Sequence, residues 1–82
     1  MRLKENILLT DTGFVFDPDT GDAFSTNPIG KELMEKLKAN IDLNEITVQI
    51  TDKYNVDAIQ FQRYFDDFVI MLRHYNLITD TE

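Results

Sequence analysis

The stretch that decides the fold runs from Gly13 to Gly30 and reads GFVFDPDTGDAFSTNPIG. It contains all three glycines and both prolines of the chain. Turn formers, concentrated at Asp17–Gly21, separate two short runs of residues that favour strands. The end of the stretch is typical of a helix start, since Asn27 is a favoured N-cap and proline suits the first helical position. The stretch therefore predicts a β-hairpin that leads directly into a helix.

Three strands are predicted in and before this hairpin. Asn6–Thr10 is an apolar run that ends in a turn signal, Phe14–Phe16 is the second strand and Asp22–Thr26 is the third. Side chains alternate along a strand, so Phe14 and Phe16 share a face, and we expect both to be in the core. In such a meander the third strand lies at the edge of the sheet, with unpaired backbone groups.

Three helices are predicted after the hairpin. The first follows it directly, Asp42 and Glu45 form a capping box for the second, and Asp57 starts the third. We expect Leu77–Ile78 to pack back on the core and residues 79–82 to fray. The third helix carries the main core stripe at helical spacing, formed by Phe61, Phe65, Phe68, Leu72 and Tyr75.

The third helix has more apolar residues than one buried stripe can hold. Residues Phe68–Leu72 are apolar all round the helix, and Ile70 lies about 160° from Phe68 at ~100° per residue. Two interpretations stay open. Either the helix is packed between the sheet and the other helices, which we expect in a small domain, or part of its surface binds a ligand.

Length and composition restrict the class of protein. The chain has 82 residues, the size of one domain, and no cysteine for a disulfide or a thiolate metal site. No apolar run is long enough to cross a membrane, and residues 1–6 lack the apolar core of a signal peptide, so we expect a cytoplasmic protein. The net charge of −7 opposes binding to nucleic acid and suits a cationic or amphipathic partner, and solubility alone accounts for it equally well.

The candidate catalytic and metal-binding groups do not form a recognisable site. Three aspartates share the hairpin turn, but the positions that a calcium loop reserves for glycine and glutamate carry Asp22 and Pro28. Asp66 and Asp67 are adjacent on a helix, so their carboxylates diverge by ~100° and make a poor acid/base pair. His74 is the only histidine. We therefore predict no enzymatic activity, no metal and no cofactor.

Two functions of other classes are compatible with a sheet and three helices. A winged-helix DNA binder would use the third helix for recognition, but that helix carries Arg63 and Arg73 against three aspartates, so its polar face is not basic. The other alternative is a protein–protein adaptor or a homodimer. It would use the apolar excess of the third helix or the pairing of two third-strand edges.

The order and spacing of several segments carry a family resemblance over nearly the whole chain. These segments are Gly13–Pro18, Thr20–Gly21, Phe24, Asn27–Gly30, Glu45–Ile46, Tyr54–Asp57, Asp67–Val69, Leu72 and Asn76–Ile78. In them the chain resembles the PqqD-like family of peptide chaperones, also called RiPP recognition elements, and within it the branch that accompanies HPr-kinase-related proteins. Three residues depart from the family pattern. Ile29 stands where threonine is frequent, Tyr64 where aspartate is frequent, and Asn76 where glycine is usual.

The resemblance implies an α+β, winged-helix-like fold with an N-terminal three-stranded antiparallel sheet followed by three helices. It implies a non-catalytic protein, a monomer or weak homodimer, that binds the leader of a precursor peptide and presents it to a modifying enzyme. In the family the peptide adds as a strand beside strand three, along the third helix, and which flank of that helix faces the strand stays open here. The residues expected to bind the peptide are Asp22, Ala23, Phe24, Ser25, Thr26, Arg63, Tyr64, Asp67 and Met71.

Overall fold

The computed structural model describes residues 2–79, which form five short strands and three helices. The strands are β1 (Arg2–Leu3), β2 (Leu8–Leu9), β3 (Phe14–Phe16), β4 (Ala23–Ser25) and β5 (Ile78–Thr79). The helices, which lie between β4 and β5 in the chain, are α1 (Pro28–Lys38), α2 (Leu43–Tyr54) and α3 (Ala58–His74).

The main sheet is antiparallel, with β3 in the centre and β2 and β4 at its edges. Its three strands precede the three helices, so the predicted α+β architecture is confirmed. The outer strands are shorter than predicted. Of Asn6–Thr10 only two residues are in the strand, and of Asp22–Thr26 only the central three.

A second sheet joins the two ends of the described chain. β1 pairs antiparallel with β5, and the backbone N–H of Lys4 donates to the carbonyl of Leu77 at 2.7 Å. Each strand has two residues and its partner lies at the other end of the sequence, so no local pattern predicts the pairing. The expectation of fraying is wrong at Thr79, which pairs with Arg2. Residues 80–82, to which the same expectation applied, lie outside the described residues.

The main sheet packs on the helices through the face opposite to the predicted one. Val15 is 0% exposed, whereas Phe14 is 42% exposed and Phe16 is half-buried. The prediction that Phe14 and Phe16 are in the core is therefore wrong. All three residues of β3 are apolar, so alternation alone permits either face. The neighbouring strands decide, because Val15 lies opposite Leu9 and Phe24, which both pack against the core.

Each helix begins at the predicted capping residue. The side chains of Asn27, Asp42 and Asp57 each accept a hydrogen bond from the backbone N–H three residues later, at 2.8, 3.0 and 2.8 Å. Each bond satisfies one of the N–H groups that a helix start leaves without a partner. The predicted capping box is only half formed, because the carboxylate of Glu45 accepts from the side chain of Gln49.

Asparagines with positive φ follow all three helices. Asn40, Asn55 and Asn76 have φ values of 60°, 55° and 58°. Asparagine adopts this left-handed conformation more readily than most side chains, so it ends a helix much as glycine does. Asn76, which stands where glycine is usual in the resembled family, therefore keeps the chain reversal between α3 and β5.

All three helices contribute apolar residues to one core, and of the predicted α3 stripe only Tyr75, which follows the helix, is half-buried and not buried. Leu77 and Ile78 are buried in the same core, so the tail packs back as predicted. Ile70, however, is 65% exposed, and the expectation that α3 is buried on two sides is wrong. The buried hydrophobic side chains of the helices are Leu33, Met34 and Leu37 of α1, Ile46 and Ile50 of α2, and Phe61, Phe65, Phe68 and Leu72 of α3.

A buried carboxylate fixes the hairpin turn at the end of β3. Asp17 is 1% exposed and accepts hydrogen bonds from the Lys4 ammonium and from the backbone N–H of Asp19, both at 2.9 Å. The Lys4 ammonium holds the pKa of Asp17 below its usual range. The aspartates at 17 and 19 thus shape the turn, as predicted, and tie it to the segment that follows β1.

Candidate functional site

The candidate site is the open edge of the main sheet at β4. The backbone N–H of Asp17 donates to the carbonyl of Asp22 at 2.9 Å, and that of Thr26 donates to the carbonyl of Gly13 at 2.8 Å. Backbone groups alternate in direction along an antiparallel strand, so these two bonds set the phase of the whole β3–β4 ladder. The N–H and C=O groups of Ala23 and Ser25 consequently point away from β3, and both residues are exposed.

The C-terminal end of α3 lies beside this edge. Phe24 points to the inner face of the sheet and its ring stacks on that of Tyr75, with 4.9 Å between centroids and 19° between planes. Both side chains are half-buried. Tyr75 directly follows α3, so the stacked pair brings the end of the helix against the middle residue of β4.

The N-terminal half of α3 reaches the other end of the edge through Tyr64. Its hydroxyl donates to the side-chain oxygen of Asn27 at 2.9 Å, and the same oxygen accepts from the backbone N–H of Gly30. A Cβ at Gly30 would lie 3.1 Å from the Thr26 Cβ and 3.2 Å from the Tyr64 hydroxyl, so a side chain there would need its neighbours to shift. Partial burial raises the pKa of the Tyr64 phenol.

These two contacts show which flank of α3 faces the edge. Positions 64, 68, 71 and 75 lie on one face of a helix. Because Tyr64 contacts Asn27, two residues after β4, and Tyr75 stacks on β4 itself, Phe68 and Met71 lie between them on the same side. Tyr64 also stacks on Phe68, with 6.1 Å between centroids. We call the surface between β4 and this face of α3 the groove, and Phe24, Tyr64, Met71 and Tyr75 lie along it.

The predicted binding residues divide into four groups. Ala23 and Ser25 present outward backbone groups, whereas Phe24, Tyr64 and Met71 line the groove. Asp22 and Thr26 have roles in the hairpin, since the Asp22 carboxylate accepts from the Thr20 hydroxyl and the Thr26 hydroxyl donates to the carbonyl of Gly13. Asp67 and Arg63 are exposed on α3. Within residues 2–79 the Arg63 guanidinium forms no ion pair.

Sequence reasoning missed three parts of the site. The capping signal at Asn27 and the apolar stripe that ends at Tyr75 do not indicate their contacts with α3 and β4. The third part is an open hollow of about 370 Å³ next to Tyr64, which is lined by side chains of α1, of the α2–α3 connection and of α3. Its lining residues come from three separate segments, so no periodic pattern indicates it. They are Ile29, Val56, Gln60, Phe61, Arg63 and Tyr64.

Two features are absent from residues 2–79, a metal-ligating cluster and a membrane-spanning helix. Between residues 2 and 79 no three His, Asp or Glu side chains stand close enough together to hold a metal ion. Within the same range no helix has the length and apolar character needed to cross a bilayer.

Comparison with known proteins gives one result. A scan against protein families matches residues 13–78, most of the chain, to the family described as coenzyme PQQ synthesis protein D, PqqD. A search of curated proteins and a search of solved structures each found no significant match. The matched range starts at the hairpin and ends in β5, so it includes the β4 edge, the groove and α3. The chain belongs to the PqqD family.

Proposed function

We propose that this protein is a non-catalytic peptide chaperone. It binds the leader of a precursor peptide as an added strand at the β4 edge and presents it to a modifying enzyme. The observation that carries the proposal is the open edge of β4 beside α3, in a chain of the PqqD family. The same proposal includes a single winged-helix-like domain that acts in the cytoplasm without a cofactor, and membership of the branch that accompanies HPr-kinase-related proteins.

The backbone of the edge supports strand addition. Ala23 and Ser25 together offer two N–H and two C=O groups to an extended chain, and strand addition uses such main-chain bonds for affinity. Both side chains are small, so a second backbone can approach to the spacing of neighbouring strands, ~4.8 Å. At about 1 kcal/mol net per hydrogen bond, the backbone contacts alone give weak binding. The groove must supply the rest.

The groove supports recognition of apolar peptide side chains. Successive side chains of a strand point to opposite faces, so every second residue of an added peptide would face α3. There it would meet the groove wall that Phe24, Met71 and Tyr75 form, all half-buried in the structure. Covering these side chains would stabilise the complex by ~25 cal/mol for each Å² of apolar surface removed from water.

The test uses peptides selected from a displayed random library on the wild-type protein. Ser25→Pro removes the outward N–H of Ser25, which does not belong to the β3–β4 ladder, so the variant should fold like wild type. We expect it to bind the selected peptides about tenfold or more weakly, since one backbone bond is lost and the proline ring hinders pairing. Ser25→Ala keeps the N–H and is the matched control, with unchanged affinity.

Isotope-labelled protein supplies the second readout. Peptide addition should shift the resonances of β4 and of the groove face of α3. Selected peptides that bind Ser25→Pro as well as wild type would contradict strand addition. So would shifts confined to α2, or a library that yields no binder to wild-type protein with a correct spectrum.

Self-association is the second candidate, because the same observation favours it. An unpaired β4 edge fits the β4 edge of a second copy as well as it fits a peptide. Sedimentation over a concentration series separates the two candidates. A monomer throughout the range would exclude the dimer, whereas a dimer that Ser25→Pro dissociates would establish it and leave no edge for a peptide.

A further inference from the structure

The hollow beside Tyr64 is a candidate for a second contact with the peptide. We propose that it holds one large apolar side chain of the bound peptide, aromatic or branched aliphatic, and that Arg63 pairs with a carboxylate next to that side chain. This inference rests on the proposed function, because it assumes that a peptide lies along β4. It goes beyond strand addition, since it defines which peptide sequence this chain selects.

The lining and the volume fit an apolar side chain. Ile29, Val56 and Phe61 supply three apolar walls at the junction of α1, the α2–α3 connection and α3. The volume of about 370 Å³ is within the usual range of ligand pockets and accommodates one aromatic or leucine side chain. Ile29 and Val56 are half-buried, so an inserted group would cover surface that now contacts water.

The charge at the rim selects the neighbouring group of the peptide. Arg63 is exposed and forms no ion pair within the described residues, in a chain whose net charge is −7. Its planar guanidinium matches a carboxylate in geometry and charge. A carboxylate elsewhere on the peptide would meet the acidic surface of the protein, so the preferred place for Asp or Glu is beside the residue in the hollow.

The hollow is within reach of a peptide on β4. Tyr64 is shared by the two sites, because it lines the hollow and donates to Asn27, two residues beyond the end of β4. At ~3.3 Å per residue, a strand paired with Ser25 arrives at Tyr64 after two or three further residues. The anchoring side chain therefore lies just outside the paired segment of the peptide.

The test uses small probes that cannot add a strand. N-acetyl-leucinate and N-acetyl-phenylalaninate, each beside its neutral amide, are titrated into isotope-labelled protein while the methyl groups of Ile29 and Val56 are followed. We expect saturable shifts of these methyl groups at millimolar concentrations. The carboxylates should bind roughly two- to fivefold more tightly than the amides, as expected for one solvent-exposed ion pair.

Variants assign the two components of binding. Arg63→Gln should remove the preference for the carboxylate and keep binding of the amide, whereas Arg2→Gln, on β1, should change neither. Ile29→Thr makes one wall of the hollow polar and should weaken the binding of both probes severalfold. Val56→Thr makes another lining residue of the hollow polar. It tests the loss of probe binding independently if Ile29→Thr alters the fold.

Three outcomes would overturn the proposal: no methyl shift, shifts that lie outside the hollow, or a carboxylate preference that survives Arg63→Gln. These outcomes are separate from failure of the proposed function. Ser25→Pro should leave probe binding unchanged, because the probes need no β4 edge. If peptides add to β4 but neither probe binds in the hollow, strand addition is retained and the anchor is excluded.

Discussion

The two faces of the main sheet differ in burial although both are apolar. The inner face, with Val15 at its centre, packs on the helices, whereas on the outer face Leu8 is 55% exposed and Phe14 is 42% exposed. β3 contributes one residue to the inner face and two aromatic residues to the outer one. The size of an apolar side chain is thus no guide to its face in this sheet. What decides is which face has enough partner residues on the neighbouring strands to form a continuous layer.

The largest expected effect is that of a charge placed on the inner face. Val15→Asp would bury an unpaired carboxylate at a fully enclosed position, which costs several kcal/mol, comparable with the ~5 kcal/mol that a small domain has in total. We expect an unfolded protein at 25 °C by circular dichroism. Phe14→Asp, one residue earlier on the outer face, should stay folded. If both variants fold, Val15 is not enclosed in solution.

A smaller difference is expected for aromatic residues on the two faces. Phe24→Ala removes a half-buried ring that stacks on Tyr75, and we expect a loss of about 2 kcal/mol, below the range for fully buried phenylalanine. Phe14→Ala should cost less than about 1 kcal/mol, because its ring is already 42% exposed. Urea unfolding measures both. Equal losses would contradict the assignment of Phe14 to the outer face.

The hairpin turn at the end of β3 contains a buried carboxylate, which makes stability depend on pH. The pKa of Asp17 is lowered by Lys4, so its contribution is complete above the unfolded pKa of ~3.9 and is lost as the pH falls through the folded value. Asp17→Asn should therefore lower the urea midpoint at pH 7 and give a shallower decline in stability below about pH 4. Asp11→Asn, an exposed residue, is the matched control with an unchanged midpoint at pH 7. An unaltered acid limb in Asp17→Asn would exclude the Asp17–Lys4 pair as its cause.

The smallest effect is expected at the exposed end of β2. Leu8→Gln should change the free energy of unfolding by less than about 0.5 kcal/mol, because that side chain faces water. Its neighbour Leu9 packs against the core, so Leu9→Gln should cost about 1–2 kcal/mol. The two variants compare the faces with one substitution at adjacent positions. A reversed order would mean that β2 is paired one residue out of the described register.

Much of the fold follows from short-range sequence signals, namely helix caps, apolar residues at helical spacing and turn formers. Asn27, Asp42 and Asp57 are followed by stripes at helical spacing, and all three helices start at these residues. The turn formers likewise predict the hairpin where the structure has it, because capping and turn conformations depend on a few neighbouring residues. Long-range pairing has no such signal. The β1–β5 sheet consists of two residues at each end of the sequence and could not be predicted.

The site was predictable in part. The sequence predicts an edge strand after Gly21, and the family resemblance predicts that a peptide binds to this strand. The phase of the ladder, which leaves Ala23 and Ser25 with outward backbone groups, depends on register and had to come from the structure. The flank of α3 that faces β4 was equally undetermined, because a helix with apolar residues all round carries no preferred side. Tyr64 and Tyr75 resolve it through their contacts.

The pairing of β1 with β5 has a mechanical consequence. Arg2 lies opposite Thr79 and Leu3 opposite Ile78, in antiparallel strands. A force that pulls residues 2 and 79 apart would load this pair like a zipper, so that its hydrogen bonds break one after another and not all at once. The helical core would carry no load until the pair has opened. In a force measurement the domain should therefore show a soft first step that releases both ends, followed by a stiffer second step.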